Sequence, residues 1–195
     1  MVRRYCLLSL FSLLLFSLNL QACSQRVQAL SAADQRLPNE AKQNIADAED
    51  AVLIARSRVQ DAQSKLEQAQ IKQRKFMQSP PDLGTAKQIA SQLYTAQENF
   101  AQLNLEYADV NLKLSRVRLA LVYAQTSMRY DIAVYDLKPM NQEVEKTQGQ
   151  LLALRKKKKL AKSKMKTIVK QWWTAYQALA KSSGTQGFWV HEFKN

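Results

Sequence analysis

Glycine and proline are scarce, four of each in 195 residues. A sheet protein of this length would need far more turn material, so an all-β or mixed fold is excluded. Cysteine occurs twice, at Cys6 and Cys23, which rules out a disulfide framework. Histidine occurs once, at His191, close to the end of the chain. No HExxH, GxSxG, Walker or glycine-rich phosphate loop is present, and no ligands stand at metal-binding spacing. No catalytic residue, cofactor or metal is therefore expected, and the chain reads as a non-enzyme. One further absence is local. Between Lys146 and Lys181 there are eleven basic residues and not one acid.

What fills the chain instead is alanine, glutamine, leucine and lysine, which lose little entropy in a helix. The amino terminus is different. Arg3 and Arg4 precede an uncharged run of Leu, Phe and Ser over 7–18, followed by Leu20, Gln21, Ala22 and Cys23. A basic start, an apolar stretch and a small residue before the cut form a secretory signal. The apolar run is shorter than the ~20 residues a spanning helix needs, which argues against an uncleaved anchor. An ordinary secretory signal is the other bland reading.

A cysteine directly after the small residue resembles the lipobox of bacterial lipoproteins. The resemblance implies cleavage before Cys23, acylation of its sulfur and usually of the new amino terminus. It also implies that Ser24, where an Asp would retain the protein at the inner membrane, lets it pass outward. In a two-membrane host the expected location is the outer membrane, lipid-anchored and facing the periplasm. Cys6 would leave with the signal. Removal of Arg3 and Arg4 takes the net charge from +13 to +11, all of it carried by the acid-free segment.

Past the signal, residues 23–38 are mostly polar and small and read as a lipidated tether, with Asn39 able to cap a helix. From Ala41 the apolar positions run Ala41, Ile45, Ala48, Val52, Ala55, Val59, Ala62, Leu66, Ala69, alternating four and three. That is a heptad seam, and one of its rows is entirely alanine, which admits close approach by a partner helix. Pro80 and Pro81 stop it. A second seam runs Ile89, Leu93, Ala96, Phe100, Leu103, Tyr107, Val110, Leu114, Val117, Leu121, Ala124, Met128. Leu105, Ala108, Leu112, Leu119 and Val122 add apolar surface outside it, so this helix has two neighbours. After Asp136, Leu137, Lys138 and Pro139 a weaker seam carries Val144, Thr147, Leu151, Leu154, Lys158, Ala161, Met165, Ile168, Trp172, Ala175 and Leu179. The pattern predicts an all-α, elongated antiparallel three-helix coiled-coil bundle over 39–181. Its helices are expected near 39–77, 84–137 and 140–181, with an aromatic tail at 182–195. The alanine-rich stretch 37–70 resembles helical coiled-coil lipoproteins of the envelope, a likeness that transfers no functional residue beyond Cys23.

The candidate binding residues are Arg155, Lys156, Lys157, Lys158, Lys159, Lys162, Lys164 and Lys166. Four successive lysines at ~100° each wrap most of a helix, so they cannot share one face. The functional reading is a site for peptidoglycan, lipopolysaccharide or an acidic lipid or protein. The bland one is a solvated helix face, neutralised within the bundle. Folding about the two turns pairs positions summing to roughly 161 and roughly 276, which sets residue n of the first helix level with about n+115 of the third. Glu40, Asp47, Glu49 and Asp50 would then lie beside the lysines, with Arg116 and Arg118 close by. Trp172, Trp173 and Tyr176 beside a basic run can signal single-stranded nucleic acid, but export argues against it, and no nucleic-acid partner is expected. The expected role is a structural or scaffold rod in the periplasm. An anion-binding module and an accessory subunit of an envelope transport complex are the alternatives. A homo-oligomer through the seams is also open.

Overall fold

A computed structural model describes residues 27–30, 34–78, 83–84 and 86–183. The signal with Cys23 and the aromatic residues of 188–193 lie outside the described residues. The architecture is all-α: α1 spans Asn39–Gln78, α2 Ala86–Arg129 and α3 Lys138–Ser183, with no strand among the described residues. With 40, 44 and 46 residues at ~1.5 Å each, the helices are about 60 to 70 Å long.

The seams are where the sequence put them. Every seam position from Ala41 to Ala69 is buried or half-buried, and the residues between them are mostly exposed. The same holds on α3 from Val144 to Leu179. On α2 only Met128 breaks the rule, being exposed at the last turn. The second apolar flank of α2 is present too. Ala90, Tyr94, Ala101 and Ala108 are buried on it, so this helix packs on two sides.

Helix ends follow backbone chemistry more than the apolar pattern. The Pro38 carbonyl accepts the Lys42 N–H at 3.1 Å, which makes Pro38 the capping position and puts Asn39 inside the first turn. At the start of α3 the Leu137 carbonyl takes the Asn141 N–H, and the Asp136 carboxylate accepts the Lys138 N–H at 3.0 Å. Pro139 therefore sits within the first turn, where its missing N–H costs nothing. The largest departure from expectation is the end of α2, at Arg129 rather than near 137. Asp131 adopts φ 53°, the left-handed region. The Ile132 N–H returns to the Ser127 carbonyl at 2.8 Å and the Asp131 N–H to the Met128 carbonyl at 3.4 Å. These are the two bonds of a Schellman cap, with aspartate where glycine usually stands. Gly84, before α2, is also left-handed at φ 48°, and its carbonyl accepts the Lys87 N–H.

The chain forms two compact units. The first takes residues up to Glu49 and Val117–Val144, the second Asp50–Arg116 and residues from Glu145 onward. In the first, Leu30, Leu37, Ala41, Ile45 and Tyr123 make the core, with Val27, Leu119, Val122, Tyr130 and Ile132 packed on it. Part of the expected tether is thus not a tether. Val27, Leu30 and Leu37 are its large aliphatic residues, and each removes side-chain surface from water by lying on α1 and α2. The Gln28 N–H also donates to the Tyr135 hydroxyl at 3.1 Å. Across the α1–α2 pair of this unit the Tyr123 hydroxyl donates to Glu49 Oε1 at 2.6 Å.

The second unit draws its core from all three helices: Phe76, Leu83, Ala86, Ala90, Leu93, Tyr94, Trp172 and Tyr176. Phe76 and Tyr94 bring their rings to 4.9 Å, and Gln73 Nε2 donates to Thr95 Oγ1. As numbers rise on α1 they fall on α2, so the two helices are antiparallel, and α2 and α3 are too. The paired positions correct the expected register. Those of α1 and α2 sum to about 170, and Tyr107 with Lys158 sums to 265. Residue n of α1 in this unit is level with about n+95 of α3, not n+115, a difference of ~30 Å along the axis.

Candidate basic groove

That register decides what surrounds the lysine-rich run. Of the four acids expected beside it, Asp50 is the one in the same unit, and it comes level with about residue 145, short of the run. Glu49 is engaged by Tyr123 and Asp47 by Gln43. Arg116 comes level with about residue 149, short of the run, and Arg118 belongs to the first unit. Asp61 and Glu67 are the acids of α1 that come level with it. Both are exposed, and Glu67 accepts from Gln63. Among the described residues no salt bridge reaches Arg155 or any lysine from 156 to 166, whereas Arg36 and Asp34 do form one, at 2.7 Å. That pair holds the Asp34 carboxyl down at about 2.

The run divides by direction, as its pitch requires. Arg155, Lys156, Lys158, Lys159 and Lys162 line one groove with Leu152 of α3 and Phe100 of α2, a space of about 550 Å³. Lys164 lines a second groove of about 420 Å³ with Ser91, Gln92, Thr95, Ala96, Asn99, Ala161 and Ile168. Lys157 and Lys166 are exposed and line neither. Five of the eight expected residues are brought together, and three are not.

Lys158 is the seam position that should have cost stability. Its ammonium stands 4.4 Å from the centroid of the Tyr107 ring, so the charge leans on a π face while the stem packs in the seam. Burial lowers its pKa below the ordinary lysine value. Thr147, the other polar seam residue, is fully buried, and its hydroxyl has no hydrogen-bond partner. Trp172 is a core residue at 1% exposure. Trp173 stacks on Tyr176 with centroids 6.2 Å apart and leaves 40% of its surface in solvent.

Phe100, Leu152 and Tyr107 are the site residues that sequence reasoning missed. Phe100 and Tyr107 were read as seam, which they are. Only the register shows that they stand opposite the basic stretch. Leu152 carried a readable signal, an off-seam leucine one turn ahead of Arg155 and Lys156. It is 59% exposed. The arrangement offers concentrated positive charge beside a small apolar surface, which suits an anion or an anionic amphiphile. The described residues hold no cluster of metal-ligating side chains and no helix long and apolar enough to cross a membrane. Comparison with known protein families, curated proteins and solved structures yields no match.

Proposed function

We propose that this chain is a non-enzymatic lipoprotein of the outer membrane, anchored through Cys23 and facing the periplasm. Its helical body serves as a scaffold, and α3 engages an anionic component of the envelope. The observation that carries this reading is the unneutralised basic stretch of α3, five of whose side chains open on one groove. Like charge crowded on a helix carries a small repulsive cost, which a ligand's counter-charge relieves. The lipobox resemblance supports the anchor, and the heptad seams support a mechanical role.

The test has two arms. Labelling cells with a radioactive fatty acid should mark the wild-type protein and not Cys23→Ala. An unprocessed, unlabelled wild-type product would refute the anchor. Purified cell wall and anionic vesicles should retain the protein at low salt and release it as salt rises. Retention that is indifferent to salt would refute the basic contact.

A second reading, an accessory subunit gripping partner helices, is favoured by Leu53 and Ile54, exposed side by side on α1 at 61% and 54%. Stoichiometric co-purification of a membrane complex, lost on Leu53→Gln, would support it.

A further inference from the structure

The groove between α2 and α3 is not simply basic. Arg155, Lys159 and Lys162 follow one another at spacings of four and three, which stacks them along one flank of the α3 seam. Lys158 borders that flank from the seam side and Lys156 from the other. Leu152 lies on the same flank one turn earlier, and Phe100 of α2, level with about residue 165, lines the groove toward its other end. No acid lines this space. A bare inorganic anion would use the cations and leave Leu152 in water. An acidic helix would need a longer apolar stripe, repeating along the groove at helical spacing, and only two apolar side chains are present. The combination matches a molecule with phosphate at one end and methylenes directly attached. A space of about 550 Å³ falls in the range that holds one small ligand.

We propose that this groove binds the headgroup of an anionic phospholipid. Arg155, Lys159 and Lys162 take the phosphate oxygens, while Leu152, one turn before Arg155, covers the first methylenes of its chains. The guanidinium of Arg155 is suited to a bidentate grip, and the lysines supply mobile point charges around it. Lys158 has a different task. Its ammonium is held by Tyr107, so it sets the positive potential of the groove wall without leaving the seam. This assignment rests on the reading of α3 as the anion-contacting helix and names the ligand class for it.

The test uses the full-length chain carrying Cys23→Ser, so that acyl-driven partitioning does not contribute. Monomeric dihexanoyl phosphatidate, dihexanoyl phosphatidylcholine, inorganic phosphate and an oligoglutamate are titrated calorimetrically. Phosphatidate should bind about tenfold more tightly than phosphate, the worth of roughly two buried methylenes, and phosphatidylcholine should not bind. Leu152→Gln, an exposed substitution that the helix tolerates, should bring phosphatidate down to the phosphate level. The double substitution Arg155→Gln, Lys159→Gln should cost at least about tenfold for both ligands, and Lys157→Gln should cost nothing. Equal affinity for phosphate and phosphatidate, untouched by Leu152→Gln, overturns the lipid assignment while leaving an anion site. Tighter binding of oligoglutamate overturns it in favour of an acidic protein partner. Absence of binding by every anion overturns both this inference and the proposed function.

Discussion

Replacing Lys158 by methionine should stabilise the protein, although it deletes the only charge on the α3 seam. Three contributions decide the sign. The ammonium at 4.4 Å from the Tyr107 ring contributes about 1 kcal/mol of cation–π attraction, which methionine loses. The lowered pKa shows that burial penalises the charged form, and that penalty disappears with the charge. Methionine also keeps the stem and buries about 40 Å² more apolar surface, worth about 1 kcal/mol. Loss and burial gain cancel, and the relieved desolvation, discounted because the ammonium is partly in solvent, sets the sign as a small rise in Tm. Lys158→Ala must go the other way. It forfeits the attraction and two or three packed methylenes, for a loss of about 2 kcal/mol. Urea unfolding followed by circular dichroism measures both. The pH dependence adds a check. A lysine with a depressed native pKa binds fewer protons folded than unfolded in the window below 10.5, so its contribution to stability rises with pH there. The difference between wild type and Lys158→Met should therefore shrink as pH approaches 10.5. A methionine variant less stable than wild type, or an alanine variant of equal stability, would refute this account of the seam.

Asp131→Gly should stabilise the cap of α2 by about 0.5–1 kcal/mol, because glycine adopts φ 53° without strain, and Asp131→Val should destabilise by more than that. Thermal melts of the two variants should move in opposite directions. Tyr123→Phe removes the 2.6 Å bond to Glu49 and should cost about 1 kcal/mol in urea unfolding. Burial first, and the hydrogen bond to Glu49 second, push the Tyr123 hydroxyl up to about 12. Its neutral form is preferred in the fold, so stability from this group is complete below pH 10 and falls as pH rises from 10 to 12. The late part of the phenolate absorbance titration should lose one tyrosine in Tyr123→Phe. Leu30→Ala should cost about 2–4 kcal/mol and speed proteolysis of the segment before α1, because Leu30 packs on Ile45 and Tyr123 rather than trailing in solvent.

How far these elements could be read from residues alone depended on which physical signal specified each one. The seams were legible because a four-three alternation survives over nine to twelve positions, and no loop or strand imitates it. Five of the six helix ends fall within two residues of expectation, but the end of α2 was not legible, since Asp131 does there what glycine normally advertises. The folded segment before α1 was hidden by its composition. Val27, Leu30 and Leu37 are three apolar residues in a polar stretch, too sparse to show a period, and they fold by covering a surface made elsewhere.

Register was the deepest loss, and its cause is general. A heptad seam repeats every seven residues, so a slip by whole heptads leaves every apolar residue facing a partner. The slip between expectation and structure on α1 and α3, about twenty residues, is close to three heptads, the kind of error a seam cannot report. Only features without the period can break that degeneracy: Phe76 against Tyr94 near the first turn, and Lys158 against Tyr107. A lysine on a seam needs an aromatic or acidic neighbour, and only a few positions of α2 offer one. This same residue therefore does two jobs. It favours a level of α3 at which an aromatic face receives its ammonium, and at that level Phe100 shares a groove with Leu152 and the basic residues. On this argument the groove and the register are one specification. Tyr107→Leu together with Lys158→Leu would give a seam that is more apolar and free to slide. Cysteines at 100 and 165, which this register sets level, would then crosslink less efficiently than in the wild-type background, even as the helices gained stability.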